Sequence, residues 1–471
     1  MKKSFLLLLS FFIIIQKTFG QTLIPKIDKR VEMLSIVSRL ADYDEYNQSM
    51  AEKYVADIHA HFDRFKGDTL IRLANNVREE SGVSFDAVMS MAVNLMLTGE
   101  KFSFQENWEK NLDKRWTHKA ALQFVTLLNQ FYTKTKARVF FATEVPYYNK
   151  ITKAFEQTLS NFHLRWYYDY YSIKPKDKFN IIIGCGNGGA NYGPHITDKK
   201  GVTQVFAIMG SWSFDKEGNP EFKQENYLPT VIHEFNHSFI NPLLNNFSNN
   251  IVFKNSMEKI LDTLETEMKM QAYGDWETIL NESLVRASVV RYLMKSNPDN
   301  TKISEGEIME QVNRGFLWTR ELVSLLGVYE MNRGKYPTIN EFYPNIINFF
   351  KTTADSISLI KARYEINLPT IMSVGPFFNN AQNVDTSIKE MTVNFSDTMT
   401  GKGYSISYGP RGKDFYPVKS IIGYANNNKS IKIELALKPD TEYEMILTGR
   451  AFKNIKGYPL KNYILKFKTK K

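Results

Sequence analysis

Pro229-Thr230-Val231-Ile232-His233-Glu234-Phe235-Asn236-His237-Ser238-Phe239-Ile240-Asn241-Pro242 is the stretch from which the rest of this 471-residue chain is read. Two histidines at i and i+4 on a helix project from one face, one turn apart. Both imidazoles can then reach one zinc ion at about 2.1 Å, and the intervening Glu234 can reach a water on that ion. The geometry needs a helix. Pro229 suits a first turn and Asn241-Pro242 a stop, so the spacing predicts a helix of about twelve residues centred on the motif. A chain with only seven histidines would carry such a string by chance about half a percent of the time. The plainer reading of the same string is a helix with two exposed or core histidines and a solvated glutamate.

Zinc in a hydrolase takes three protein ligands and keeps one open position. The only cysteine, Cys185, excludes a cysteine-based zinc site and an intramolecular disulfide. His59, His61, His118, His163 and His195 all precede the motif, so no third histidine follows it. An acidic third ligand is expected. On a helix read from Asp275 to Lys295, Glu282 lies along a stripe with Ile279, Val289 and Leu293. A carboxylate there needs a compensating partner, because burying it alone costs several kcal/mol. A metal is one such partner, and Arg286 at i+4 is the other.

The Asn281-Glu282 pair, on a helix downstream of His-Glu-x-x-His, resembles the gluzincin metallopeptidases, in which a second helix supplies the glutamate that completes the site. The string from His233 to Pro242, HEFNHSFINP, is also similar to that of an uncharacterised family of exported bacterial proteins with a zincin-like core. That likeness runs from about Val31 to Phe350. The resemblance implies one zinc ion held by His233, His237 and Glu282, with Glu234 as general base toward a zinc-activated water, in a peptidase acting on a protein or peptide. Thermolysin-like members place an acidic residue four positions after the ligand glutamate, where this chain has Arg286. Candidate transition-state donors are Tyr273, nine residues before Glu282, and His195 in a glycine-rich loop. A zinc amidase acting on envelope polymers, or a non-catalytic surface binding protein on the same scaffold, would use the same residues differently.

Composition bounds the rest. With 43% hydrophobic and 23% charged residues the chain reads as globular, and 25 Gly and 16 Pro exclude collagen-like and low-complexity classes. Lys2 and Lys3, the apolar runs Leu6–Leu9 and Phe11–Ile15, and Thr18-Phe19-Gly20 predict a signal peptide over residues 1–20. Its apolar core is too short to span a bilayer, and no later stretch is long enough. No cysteine stands at the cleavage site, so the expected product is periplasmic or extracellular and not a lipoprotein. Losing Lys2, Lys3 and Lys17 lowers the net charge from +10 by three. Nucleic acid is not an expected partner, since no basic cluster is interleaved with aromatics.

Along the chain, Val31 to about Phe131 carries helical spacing. Phe179–Ile183 and Val202–Met209 read as strands that can pair antiparallel across a glycine-rich loop. Within that loop Gly184-Cys185-Gly186-Asn187-Gly188-Gly189 fits G-x-G-x-x-G, but Asn191, Gly193 and Pro194 follow where a dinucleotide fingerprint would open a helix. Small residues that let backbone approach the substrate or the motif helix, or plain turn chemistry, account for it better. The run Trp166 to Tyr171 can stack on a sugar or peptide or fill a core. His59 and His61 point to different sides of a helix, and Cys185 reads as a small buried residue.

After Pro369 short alternating segments are separated by turns such as Asn426-Asn427-Asn428 and Lys438-Pro439-Asp440. Val393 to Met399, Leu437 to Tyr443 and Leu465 to Thr469 resemble bacterial Ig-like domains, which implies a spacer or binding adaptor that can contact the envelope. The expectation is an α+β chain. A zincin-like domain covers 21–366, with a helical lobe over about 21–175 and an active-site core over about 176–366. It is mostly helical, with a small antiparallel or mixed sheet beside the motif helix, and an all-β Ig-like sandwich follows over 367–471.

Overall fold

The structure, a computed structural model, describes residues 23–48, 50–173, 176–246 and 250–471. The signal peptide expected over residues 1–20 lies outside them. The chain is α+β and forms two compact units. One runs through Pro242 and takes in Arg333–Asn340, and the other comprises Leu243–Asn332 and Glu341–Lys471.

Helices of the first unit begin where side chains satisfy their orphan amides. Asp28 accepts from the Arg30 amide at 2.9 Å to start Lys29–Leu40, and Asp68 accepts from Leu70 at 2.9 Å to start Thr69–Ser81. Gly82, at φ 71°, ends the latter. A hairpin, Leu95–Thr98 with Lys101–Phe104, interrupts the stretch whose spacing predicts helix throughout. Gly99 at φ 64° makes the reversal, and Leu95 and Phe102 bury one face of the ribbon, which outweighs the helical spacing of the flanks.

The unit's three-stranded sheet is mixed, in the order Lys178–Ile183, Thr203–Met209, His195–Thr197. The first two strands run parallel, Lys178 opposite Gln204 through Ile183 opposite Met209, which corrects the antiparallel pairing expected for them. The physical reason lies in the connection. It is long enough for a crossover and carries the third strand, which takes the antiparallel place beside Thr203–Met209 with His195 opposite Val205. Val205 to Met209 are buried, and the motif helix packs on this central strand.

In the second unit, helices Ile251–Thr263, Trp276–Ser296, Thr301–Asn313 and Thr319–Met331 precede two four-stranded sheets. One sheet has the order Val418–Ala425, Ser430–Leu435, Glu390–Phe395, Ile371–Gly375; the other has Ala381–Val384, Tyr463–Thr469, Glu442–Leu447, Ile406–Tyr408. Alternation along Glu390–Phe395 buries Met391, Val393 and Phe395, which join Ile431, Ile433, Met445 and Leu465 in one apolar core. Among the described residues no helix is long and apolar enough to cross a membrane.

Candidate metal centre

The motif helix spans Gln224–Ile240, 17 residues rather than about twelve, and Pro229 sits in its second turn instead of its first. A proline inside a helix costs about 3 kcal/mol, because it lacks an N–H and crowds the carbonyl four residues back. Here the turn before it is anchored independently. Tyr227 is fully buried, stacks on Trp212 at 3.7 Å between ring centres and accepts from the Trp212 amide at 3.0 Å. Burying Tyr227 and Leu228 is worth about 2 kcal/mol each, enough to carry the helix back past the proline.

The face of this helix turned away from His233 and His237 is seated on the aromatic run. Trp166, Tyr167, Tyr170 and Tyr171, on helix Leu164–Tyr171, are all buried. Tyr171 stacks on Phe239 at 4.6 Å, Tyr167 meets Phe235 edge-on at 6.1 Å, and the Tyr167 hydroxyl donates to the Ile232 carbonyl at 3.3 Å. These rings are packing and hold the helix in rotation.

That rotation sets the histidines. His233 and His237 are half-buried, with their Nε2 atoms 3.1 Å apart and rings nearly perpendicular. Two ligands each about 2.05 Å from a tetrahedral zinc lie roughly 3.3 Å apart, so the pair is spaced as ligands are. His237 Nδ1 lies 3.1 Å from Asn241 Oδ1, and with its proton donated there Nε2 presents its lone pair. Glu234, between them in sequence, is buried. Gly193 lies against its backbone: a Cβ at Gly193 would sit 2.0 Å from the Glu234 carbonyl oxygen, so only glycine fits the close approach read from the loop's small residues. The neighbouring Tyr192, which nothing in the spacing singles out, is buried; burial raises its pKa, and the nearby Glu234 charge adds to the rise.

The rest of the glycine loop is committed inward. Glu32, on helix Lys29–Leu40, accepts from the amides of Cys185 at 2.7 Å and Gly186 at 3.2 Å and from the Tyr54 hydroxyl at 2.7 Å. Amides that would cradle a phosphate in a dinucleotide fold therefore hold this protein's own carboxylate. Burial pushes Glu32 from its ordinary 4.5 to about 7 against those bonds. Arg39 Nε donates to the Gly186 carbonyl at 2.8 Å. Cys185 is buried and its thiol pKa is well raised by that burial, the reverse of an activated nucleophile.

His195 lies on the short edge strand two residues after Gly193, where burial lowers its pKa. Three of the other histidines have separate partners, His59 with Asp63 at 2.9 Å, His61 with the Thr135 carbonyl at 2.8 Å and His118 with Glu109 at 2.9 Å, while His163 precedes helix Leu164–Tyr171.

Asp275 caps helix Trp276–Ser296 by accepting from the Thr278 amide at 2.7 Å. Glu282 is buried on it and pairs with Arg286, whose guanidinium lies 2.8 Å from Oε2. Arg286 also donates to the Tyr273 hydroxyl at 2.8 Å. Burial, and then the charge of Glu282, push Tyr273 up to about 12. Tyr273 thus belongs to the Glu282–Arg286 cluster. His233 and His237 belong to the first unit and Glu282 to the second; two imidazole nitrogens and a carboxylate oxygen are donor types that suit zinc.

The chain belongs to the family described as "Domain of unknown function (DUF4932)", whose model matches residues 23–349. No curated protein matches it. Among solved structures, the S-layer protein rSbsC(31-844) is 13% identical, with 86% of this chain and 46% of that one covered and a TM-score of 0.17. Surface layer protein SbsC, domains 1-6, is 15% identical, with 86% and 45% covered and the same TM-score. The chain spans less than half the length of these two proteins, and a TM-score of 0.17 assigns no common fold.

Proposed function

We propose that this protein is an exported zinc-dependent hydrolase, a peptidase of gluzincin type, with His233, His237 and Glu282 as metal ligands and Glu234 as general base. One observation carries the reading: two imidazole Nε2 atoms 3.1 Å apart on one helix, with a buried glutamate between them in sequence. The burial of Glu282 on helix Trp276–Ser296, where a carboxylate needs a compensating partner, supports it as the third ligand. When bound, zinc would supply a Lewis acid for the scissile carbonyl and lower the pKa of a water. Glu234 takes the proton from the attacking water and returns it to the leaving amine. Asn241 holds the tautomer of His237, and Gly193 lets the loop carrying His195 close on the motif helix. His195 is the donor assigned to the developing oxyanion. The two-sheet region after Pro369 is assigned as an Ig-like sandwich serving as a spacer or adaptor toward the envelope, consistent with its shared core.

The test is zinc content together with hydrolysis of unfolded protein and of peptidoglycan fragments, for wild type and Glu234→Gln. The reading requires one zinc per chain and a loss of about 10²-fold or more in the variant. Absence of stoichiometric zinc sinks the site, and undiminished hydrolysis by a zinc-loaded variant sinks the base. Turnover of peptidoglycan fragments alone would make the protein an amidase on the same centre.

A further inference from the structure

We infer that a groove beside the first turn of the motif helix, apart from the histidine pair, binds an acidic segment of peptide chain. The inference goes beyond the zinc reading and does not rest on it.

The groove has a volume of about 640 Å³, within the ~300–1,000 Å³ of ligand clefts, and lies wholly in the first unit. One wall is helix Val145–Glu156 with its short continuation Gln157–Leu159; the other is the segment from Pro220 to Gln224 that leads into the motif helix. Lys150, Lys153, Ala154 and Gln157 recur at spacings of three and four, so a single helical face supplies them. The two walls are tied together. Lys150 Nζ donates to Asn219 Oδ1 at 2.8 Å, Thr158 Oγ1 to the Phe222 carbonyl at 2.7 Å, and Gln224 Nε2 to the Thr158 carbonyl at 3.2 Å. Phe222 is packed edge-on against Phe155 at 4.9 Å and Tyr227 at 5.0 Å. A cleft held in shape this way needs little ordering when a ligand enters.

Charge selects the ligand. Three lysines line the groove against one glutamate, Glu221, which pairs with Lys223 at 2.9 Å. Glu225, outside the lining, also acts on Lys223. Lys150 meets only the neutral amide of Asn219, and Lys153 has no carboxylate at ion-pair distance among the described residues. Two cations on one helical face are left to attract an anion. Ala154, Pro220 and Phe222 add apolar lining, and the Gln157 side chain offers both a donor and an acceptor, as a peptide backbone requires. A chain that mixes carboxylates with apolar side chains uses all of these features, whereas a uniformly polar anionic sugar leaves the apolar lining unused. Gln224 precedes His233 by nine residues, about 14 Å along the helix axis and half a turn around it. A segment seated in the groove therefore leaves the histidine face open.

The test is fluorescence anisotropy of a fluorescein-labelled octapeptide of glutamate and leucine, titrated with full-length protein at low salt, beside the same peptide with glutamine for glutamate. The acidic probe should bind, the glutamine probe about tenfold or more weaker, and raising the salt should release the acidic one. Lys150→Glu with Lys153→Glu, two exposed positions, should weaken binding about tenfold or more. Lys429→Glu with Lys432→Glu, exposed in the other unit, makes the same change in net charge and should stay within twofold of wild type. Ala154→Trp keeps every charge and fills the groove, so it should weaken binding as well. No binding by wild type, equal binding of both probes, equal loss in the two lysine pairs, or undiminished binding by Ala154→Trp each overturns the inference. Tighter competition by oligogalacturonate than by unlabelled acidic peptide overturns it in favour of an anionic polysaccharide. Zinc content is read separately: its absence leaves this inference standing, and failure of peptide binding leaves the zinc reading standing.

Discussion

Glu32 and Glu282 are both buried carboxylates on helices, each with an arginine within two turns, yet their surroundings differ in kind. Glu32 sits at 0% exposure among two backbone amides and a tyrosine hydroxyl, while Arg39 bonds to the loop carbonyl and not to the carboxylate. Its donors are all neutral, two of them backbone amides of one loop, and its carboxyl is pushed up to about 7 by burial. Glu282 faces a guanidinium directly, with a second tyrosine and a glutamine ordering that cation. Neutral donors around a buried acid fasten a loop to a helix, whereas a neighbouring cation held by other partners orients an acid. On this comparison Glu32 is a structural rivet, and Glu282 is the proposed ligand.

Exchanging the roles experimentally gives the largest expected effect. Glu282→Gln should lose stoichiometric zinc, measured by metal analysis, and with it hydrolysis by about 10³-fold or more. Glu32→Gln should retain one zinc per chain. The opposite pattern would reverse the comparison.

The loop that Glu32 rivets is also the loop that meets the motif helix, so Gly193→Ala comes next. A Cβ 2.0 Å from a carbonyl oxygen forces backbone apart, and overpacking of this kind costs about 1–3 kcal/mol. A lower Tm in the metal-free protein, with reduced hydrolysis, is expected; an unchanged Tm would mean that the loop yields freely.

Glu32 itself makes a pH prediction of similar or smaller size. Below pH 4.5 it is protonated in both folded and unfolded chains and imposes no penalty. Between 4.5 and about 7 the folded protein keeps a proton that the unfolded chain releases, so stability falls as pH rises and levels off above 7. The total is about 3 kcal/mol at most. Urea unfolding of the metal-free protein at pH 5 and pH 8 should show this decline in wild type and a flatter profile in Glu32→Gln; equal slopes would remove Glu32 from the account. The smallest effect concerns Cys185, flanked by the same amides: native protein should react with a thiol reagent only slowly, and at full rate in denaturant. Fast labelling of the native state would show that the rivet opens.

Local spacing accounts for what was legible beforehand. The i, i+4 rule places His233 with His237 and Glu282 with Arg286, and Asp275 announces the helix it caps. Pro229 misled, because its cost is met by Tyr227 and Trp212, a contact across 15 residues that no helical pattern encodes. The glycine-rich string was recognisable as something other than a nucleotide loop from the residues after it. Its true occupant, Glu32, is 153 residues away from Cys185. The aromatic run was ambiguous between a stacking platform and core, and the burial of Trp166, Tyr167, Tyr170 and Tyr171 decides for core.

What the amino-acid order determined by itself is therefore the chemistry within a turn or two of helix: a histidine pair on one face, a glutamate between, and a second glutamate with an arginine beside it. Fixed backbone geometry converts such short spacings directly into distances. Only the tertiary structure decided that the two longer strands pair in parallel, that the glycine loop closes on Glu32, and that Gly193 touches Glu234. Those contacts join residues tens to hundreds of positions apart, and they are set by which apolar faces can be buried together, a property of the whole chain and of no single segment.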